Sequence, residues 1–120
     1  MSNFSVSFRR RDAVCVLDLT GELDAHTAAE FEAALQKCVT ESNWNIVVQG
    51  KDLHYISSAG LGVFMAFLEP VREGGGDIKV AELKPRVFTV FDLLGFPLLF
   101  DIVDTEDEAI ARFDIAAEPN

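Results

Sequence analysis

Between Ala59 and Val71 the only charged side chain is Glu69, and Leu61, Val63, Phe64, Met65, Phe67, Leu68 and Val71 would cover most of the circumference of a helix. A helix without a polar face has to be buried between a sheet and its neighbours, or present part of its surface to another molecule. That requirement points to a layered α/β fold, in which one side of each helix is covered by a sheet. Pro70 is expected to kink or end the helix, and Gly74-Gly75-Gly76 to close it off.

The flanking segments supply the sheet. Phe4, Val6 and Phe8 alternate with Ser5, Ser7 and Arg9, and Val14-Cys15-Val16-Leu17 follows a turn at Arg11-Asp12, which reads as an antiparallel hairpin. Thr27 and Glu30 have capping-box spacing ahead of Phe31, Leu35, Cys38 and Val39, so a helix is expected to about Glu41. Ile46-Val47-Val48 is a short β-branched run; Leu53-His54-Tyr55-Ile56 comes next and leads to Ser57 and Ser58, which can cap a helix starting near Ala59. Ile78-Lys79-Val80-Ala81 reads as a strand, and Pro85 opens a helix ending near Gly95. Leu98 to Val103 reads as a last short strand, with Asp104 capping a C-terminal helix that carries Ala109, Ile110 and Phe113. Helices between strands imply right-handed crossovers, hence a mixed, mainly parallel sheet of four or five strands with about four helices. Residues 1–116 are expected to form this one domain and residues 117–120 a frayed tail.

Composition narrows the function. A chain of 120 residues with a formal net charge of −10 repels phosphate backbones and anionic headgroups, so neither nucleic acid nor membrane is an expected partner. Arg9-Arg10-Arg11 reads as a solvated turn, and the acidic stretch from Asp101 to Glu108 as a helix cap and solvated face. The N-terminal residues lack the plan of a secretory signal, which makes a cytoplasmic location the expectation. Cys15 and Cys38 belong to no Cys-x-x-Cys pair and read as buried, reduced thiols. Asp24, His26, Asp52 and His54 have no spacing typical of metal ligands, Gly74-Gly75-Gly76 is followed by Asp77 rather than Lys-Ser/Thr, and no Gly-x-Ser-x-Gly elbow is present. No metal, cofactor or enzymatic activity is expected.

The segment Tyr55-Ile56-Ser57-Ser58-Ala59-Gly60-Leu61-Gly62 remains. Hydroxyls at a helix N-terminus are most often plain caps. The same place, with its free amides and positive dipole end, also accommodates a phosphoryl group.

Gly21-Glu22-Leu23-Asp24 and Ile56-Ser57-Ser58-Ala59-Gly60-Leu61-Gly62, together with Pro85 and the Asp92-Leu93-Leu94-Gly95 ending, resemble the signature segments of the STAS-domain anti-sigma factor antagonists. The resemblance spans nearly the whole chain. It implies a phosphorylation-switched binding module: unphosphorylated, such a protein binds an anti-sigma factor that is also a serine kinase and so frees the sigma factor or other client. A metal-dependent serine phosphatase restores the binding form. Counting back from Gly60 puts the phosphate acceptor at Ser58, with Ser57 as second choice. Ser57 stands where the family has Asp, and Ala59 replaces its second hydroxyl. The implied partner surface comprises Gly21, Glu22, Asp24, His26, Thr27, Ile56, Ser57, Gly60, Leu61, Gly62, Phe64 and Met65, with capping as the plain alternative for Asp24 and Thr27. The exposed apolar area leaves a homodimer open. The alternative function is a constitutive STAS subunit of a larger stress-sensing or lipid-transport assembly, in which Ser58 is only a cap.

Overall fold

The computed structural model describes residues 3–113; the expected frayed tail, 117–120, lies outside them. A hairpin of β1 (Ser5–Arg11) and β2 (Val14–Leu23) is followed by α1 (Ala28–Thr40), β3 (Asn45–Ile56), α2 (Ser58–Glu73), β4 (Asp77–Ala81), α3 (Pro85–Leu93), a 3₁₀ turn at Phe96–Leu98, β5 (Ile102–Val103) and α4 (Glu106–Ala111). The strands lie in the order β1-β2-β3-β4-β5, with only the β1–β2 pair antiparallel. This is the mixed, mainly parallel α/β architecture that the alternation of periods implies.

Strand alternation divides the core in two. Cys15, Leu17, Leu19, Ile46, Val48, Ile78 and Val80 face α1, α2 and α3. Val14, Val16, Val47, Ala81 and Val103 face the other way, against Ala109 and Ile110 of α4 and against Phe113. In the larger core Phe64 is the hub: its ring lies 4.9 Å from Phe31, 5.4 Å from Phe91 and 5.8 Å from Phe100, between centroids. These are tilted or edge-on contacts, the arrangement ring quadrupoles prefer.

Several local expectations are corrected. The two apolar runs around residues 46 and 53 form one continuous strand, β3, which stays paired with β2 through register shifts between Asp18 and Thr20 and between Gly21 and Glu22. Helix α2 passes through Pro70 to Glu73; Pro70 has no N–H for the Ala66 carbonyl, and Ala66 is on the solvent side, where water can replace it. The expected strand from Leu98 shrinks to Ile102–Val103, because Phe96 and Phe100 turn inward and stack at 5.3 Å. The cap of α4 is Thr105, not Asp104: the Glu108 amide donates to the Thr105 hydroxyl at 3.1 Å.

The basic cluster and the acidic stretch are neither a turn nor merely solvated. Arg9 and Arg11 belong to β1, and both reach Glu106, at 2.7 and 2.9 Å. Gln49 Nε2 donates to the same carboxylate at 3.0 Å, and the Glu106 amide donates to Glu82 at 3.0 Å. Glu106 is buried at 8% exposure, which only such pairing makes tolerable. The Arg9 guanidinium, with help from Arg11 and Gln49 and against the effect of burial, pulls the Glu106 carboxyl down to about 2.

Candidate functional site

The parallel strands β2 and β3 end side by side, with Glu22 opposite Tyr55 and Leu23 opposite Ile56. Their exits form the two loops that carry the motif residues. The loops are bonded to each other, the Ser57 amide donating to the Leu23 carbonyl at 2.9 Å. In open α/β sheets the carboxyl ends of the parallel strands are where binding sites gather.

The β2–α1 loop holds itself in shape. Asp24 Oδ1 accepts from the amides of His26 at 2.9 Å and Thr27 at 3.2 Å. The Thr27 hydroxyl accepts from the Asp24 amide at 2.9 Å and donates to the Glu22 carbonyl at 2.8 Å. Thr27 is the N-cap of α1 by position, but its side chain makes no capping bond, so the hydroxyl half of the expected box is not formed. Both side chains therefore work inside the loop, and Thr27 is buried at 4% exposure. Gly21, at φ +98°, has its backbone against the N-terminal segment; a Cβ there would lie 1.5 Å from the Asn3 carbonyl oxygen.

Helix α2 begins one residue earlier than expected, with Ser57 as N-cap and Ser58 as its first residue. The two hydroxyls differ completely. Ser58 is exposed, whereas Ser57 Oγ is buried and has no hydrogen-bond partner. Ser57 also makes no side-chain cap. The amides of the first turn, which have no intrahelical acceptors, thus stay available beside Ser58. Gly60 brings that turn down onto the strand ends: a Cβ would meet Leu23 at 2.7 Å and Ile56 at 3.0 Å. Gly62 has open space around it.

The residues of the sequence-derived surface differ in exposure. Gly21, Thr27, Ile56, Gly60 and Leu61 are buried, and Phe64 is the hub of the core at 0% exposure. These six lie beneath the surface: Gly60, Leu61 and Phe64 on the inner side of α2, Gly21 and Ile56 in β2 and β3, and Thr27 in the β2–α1 loop. Glu22, His26, Ser58, Gly62 and Met65 are exposed, Met65 at 45%; Asp24 and Ser57 are partly covered. Along α2, Ser58, Gly62, Met65, Ala66 and Glu69 make one solvent-facing stripe, nearly free of charge up to Glu69. Sequence reasoning missed Ala66 and Tyr55 as surface members; Tyr55 is 50% exposed, and its place opposite Glu22 follows from register alone.

Electrostatically, neither loop supplies a cation: residues 20–30 and 53–64 contain no Lys or Arg, and Glu22 and Asp24 add negative charge. Within these loops the helix amides are the groups available to receive a phosphate on Ser58. Among the described residues no cluster of three or more His, Cys, Asp or Glu could hold a metal, and no helix is long and apolar enough to cross a membrane.

Comparison with known proteins agrees with this layout. A family model described as STAS domain matches residues 5–109. The chain is 32% identical over 105 residues to BtrV of Bordetella bronchiseptica, provisionally named an anti-sigma factor antagonist, covering 88% of this chain and 90% of that one. It is 27% identical over 119 residues to the anti-sigma F factor antagonist of Paenibacillus polymyxa, covering 96% and 99%. The crystal structure of an anti-sigma factor antagonist from Mycobacterium paratuberculosis superposes with a TM-score of 0.83 at 25% identity, covering 90% of this chain and 92% of that one.

Proposed function

The chain belongs to the STAS domain family, and from that premise we propose that it is an anti-sigma factor antagonist whose binding surface is switched by phosphorylation of Ser58. The names of its relatives support the first half. The observation that carries the second is the contrast between the two hydroxyls, Ser58 open at the head of an exposed apolar stripe and Ser57 Oγ buried.

Unphosphorylated, the stripe through Gly62, Met65 and Ala66, flanked by Glu22 and His26, seats an anti-sigma factor that is also a serine kinase. Its sigma factor, or another client, is thereby released. The protein is a substrate and a ligand in this scheme, not an enzyme, and carries no cofactor. Phosphorylation adds about −1.5 to −2 charges at the head of the stripe. Burying that charge against a partner, with no cation in either loop to meet it, costs several kcal/mol. The helix dipole and free amides stabilise the phosphate by about 1 kcal/mol, so the fold persists while the complex is lost. A metal-dependent serine phosphatase resets the switch.

The test is incubation with ATP and the cognate serine kinase, read by intact mass and peptide mapping. One phosphate on Ser58 is expected, together with pull-down of the kinase by wild type and Ser58→Ala but only weakly by Ser58→Asp. Comparable pull-down by all three overturns the switch. No phosphate, with stable co-purification in a larger complex, favours a constitutive subunit in which Ser58 is only a helix residue.

A further inference from the structure

Cys15 is the second residue of β2, and Cys38 lies in the last turn of α1. They are far apart in the chain, yet packing of α1 on the sheet brings their sulfurs to 3.7 Å. Both are free thiols and both are buried, Cys15 at 6% and Cys38 at 1% exposure. The pair is unequal. The hydrogen bond shared with Cys38 favours the thiolate of Cys15, burial opposes it, Arg10 assists, and the smaller effects of Glu41, opposing, and Lys37, assisting, follow. The same hydrogen bond and burial push the Cys38 thiol up. Cys15 is the less buried of the two residues and has Arg10 to favour its thiolate, so it is the thiol placed to attack first.

We propose that Cys15 and Cys38 form an oxidisable dithiol, closed to an intramolecular disulfide by a small hydroperoxide and reopened by thiols. The Cys15 thiolate attacks one peroxide oxygen, the O–O bond breaks, and the leaving oxygen takes up a proton and departs as water or an alcohol. Cys15 is left as a sulfenic acid. The Cys38 sulfur attacks the Cys15 sulfur, the S–O bond breaks, and hydroxide leaves with the Cys38 proton as water. With hydrogen peroxide the sum is two thiols and one peroxide to one disulfide and two waters; the sulfurs lose two electrons and the peroxide gains them. Reaching a bonded distance of about 2.05 Å requires the sulfurs to approach by about 1.7 Å. The bond would close a loop through β2, the Gly21–Thr27 turn and α1, fastening the C-terminal end of α1 to the sheet.

The experiment treats the folded full-length protein with hydrogen peroxide, quenches it, and counts alkylatable thiols after denaturation without reductant. Cysteine peptides are then mapped, because exposed Met65 also takes up oxygen. The expected result is loss of both thiols, a linked Cys15–Cys38 peptide within one chain, recovery of both thiols with dithiothreitol, and a higher unfolding temperature for the oxidised form. In Cys38→Ser a dimedone adduct should appear on Cys15, and in Cys15→Ser none on Cys38. Both thiols still alkylatable after peroxide, cysteines found as sulfinic or sulfonic acids, or linkage between chains would each overturn the proposal. This test reads neither Ser58 nor partner binding, so it stands apart from the proposed switch.

Discussion

The amide of Ser57 donates to the carbonyl of Leu23 at 2.9 Å, so the loop that carries Ser58 is hydrogen-bonded to the end of β2. Next to that bond the Ser57 hydroxyl is buried without a partner, while Ser58 is exposed. The Ser57→Ala variant should therefore be as stable as wild type or up to about 1 kcal/mol more stable, since it removes an unsatisfied buried hydroxyl. It should accept one phosphate as readily as wild type, while Ser58→Ala accepts none. Chemical denaturation and intact mass after kinase treatment check both statements. Loss of phosphate in Ser57→Ala alone would move the acceptor to Ser57.

The glycines at 21 and 62 should respond oppositely to alanine. Gly21→Ala places a Cβ 1.5 Å from the Asn3 carbonyl oxygen at φ +98°. It should cost at least about 2–3 kcal/mol. Gly62→Ala enters open space on the outside of α2. It should stabilise by about 0.5–1 kcal/mol through helix propensity. Urea midpoints at constant m-value decide it.

Neighbours Phe64 and Met65 divide stability from binding. Phe64→Ala empties the centre of the aromatic cluster and should cost about 3–5 kcal/mol. Met65→Ala, at a residue 45% exposed, should change stability by less than about 0.5 kcal/mol. It should nevertheless weaken kinase binding roughly tenfold, as expected of a flexible apolar side chain in a docking face. Parallel unfolding and titration experiments separate the two effects.

Glu106 gives a pH signature. Its folded value, about 2, lies below the unfolded one, so the carboxylate contributes stability that is fully present above the unfolded value of 4.5 and is lost as pH falls toward 2. Glu106→Gln should lower stability near pH 7 by about 1–3 kcal/mol and flatten the acid limb of the stability curve in that window. Denaturation curves between about pH 7 and pH 2.5 measure both. An acid limb as steep as that of wild type would show that other carboxylates dominate it.

The element order was legible because each signal is local. Alternation at Phe4 to Arg9, the charge-free run from Ala59 to Leu68, Pro85 and the Gly74–Gly76 stop all act within a few residues of where they are read. The motif loops were legible for the same reason, and parallel pairing of β2 with β3 brings them together as the resemblance implied. An error fell where a local signal competed with tertiary packing. The apolar stretch from Leu98 reads as strand by composition, but Phe96 and Phe100 are drawn into the Phe64 cluster and bend the chain into a 3₁₀ turn.

The sequence by itself determined which segments become strands and helices, apart from the stretch from Leu98, and which hydroxyls stand at the head of the apolar helix. Only the tertiary structure decided that Phe64 turns in while Met65 turns out, that Ser57 is hidden while Ser58 is open, and that Arg9 meets a carboxylate at position 106. The physical reason is range. Propensity and periodicity act over one or two turns of chain, whereas burial and charge pairing depend on what the crossovers of the sheet bring near from distant parts of the chain.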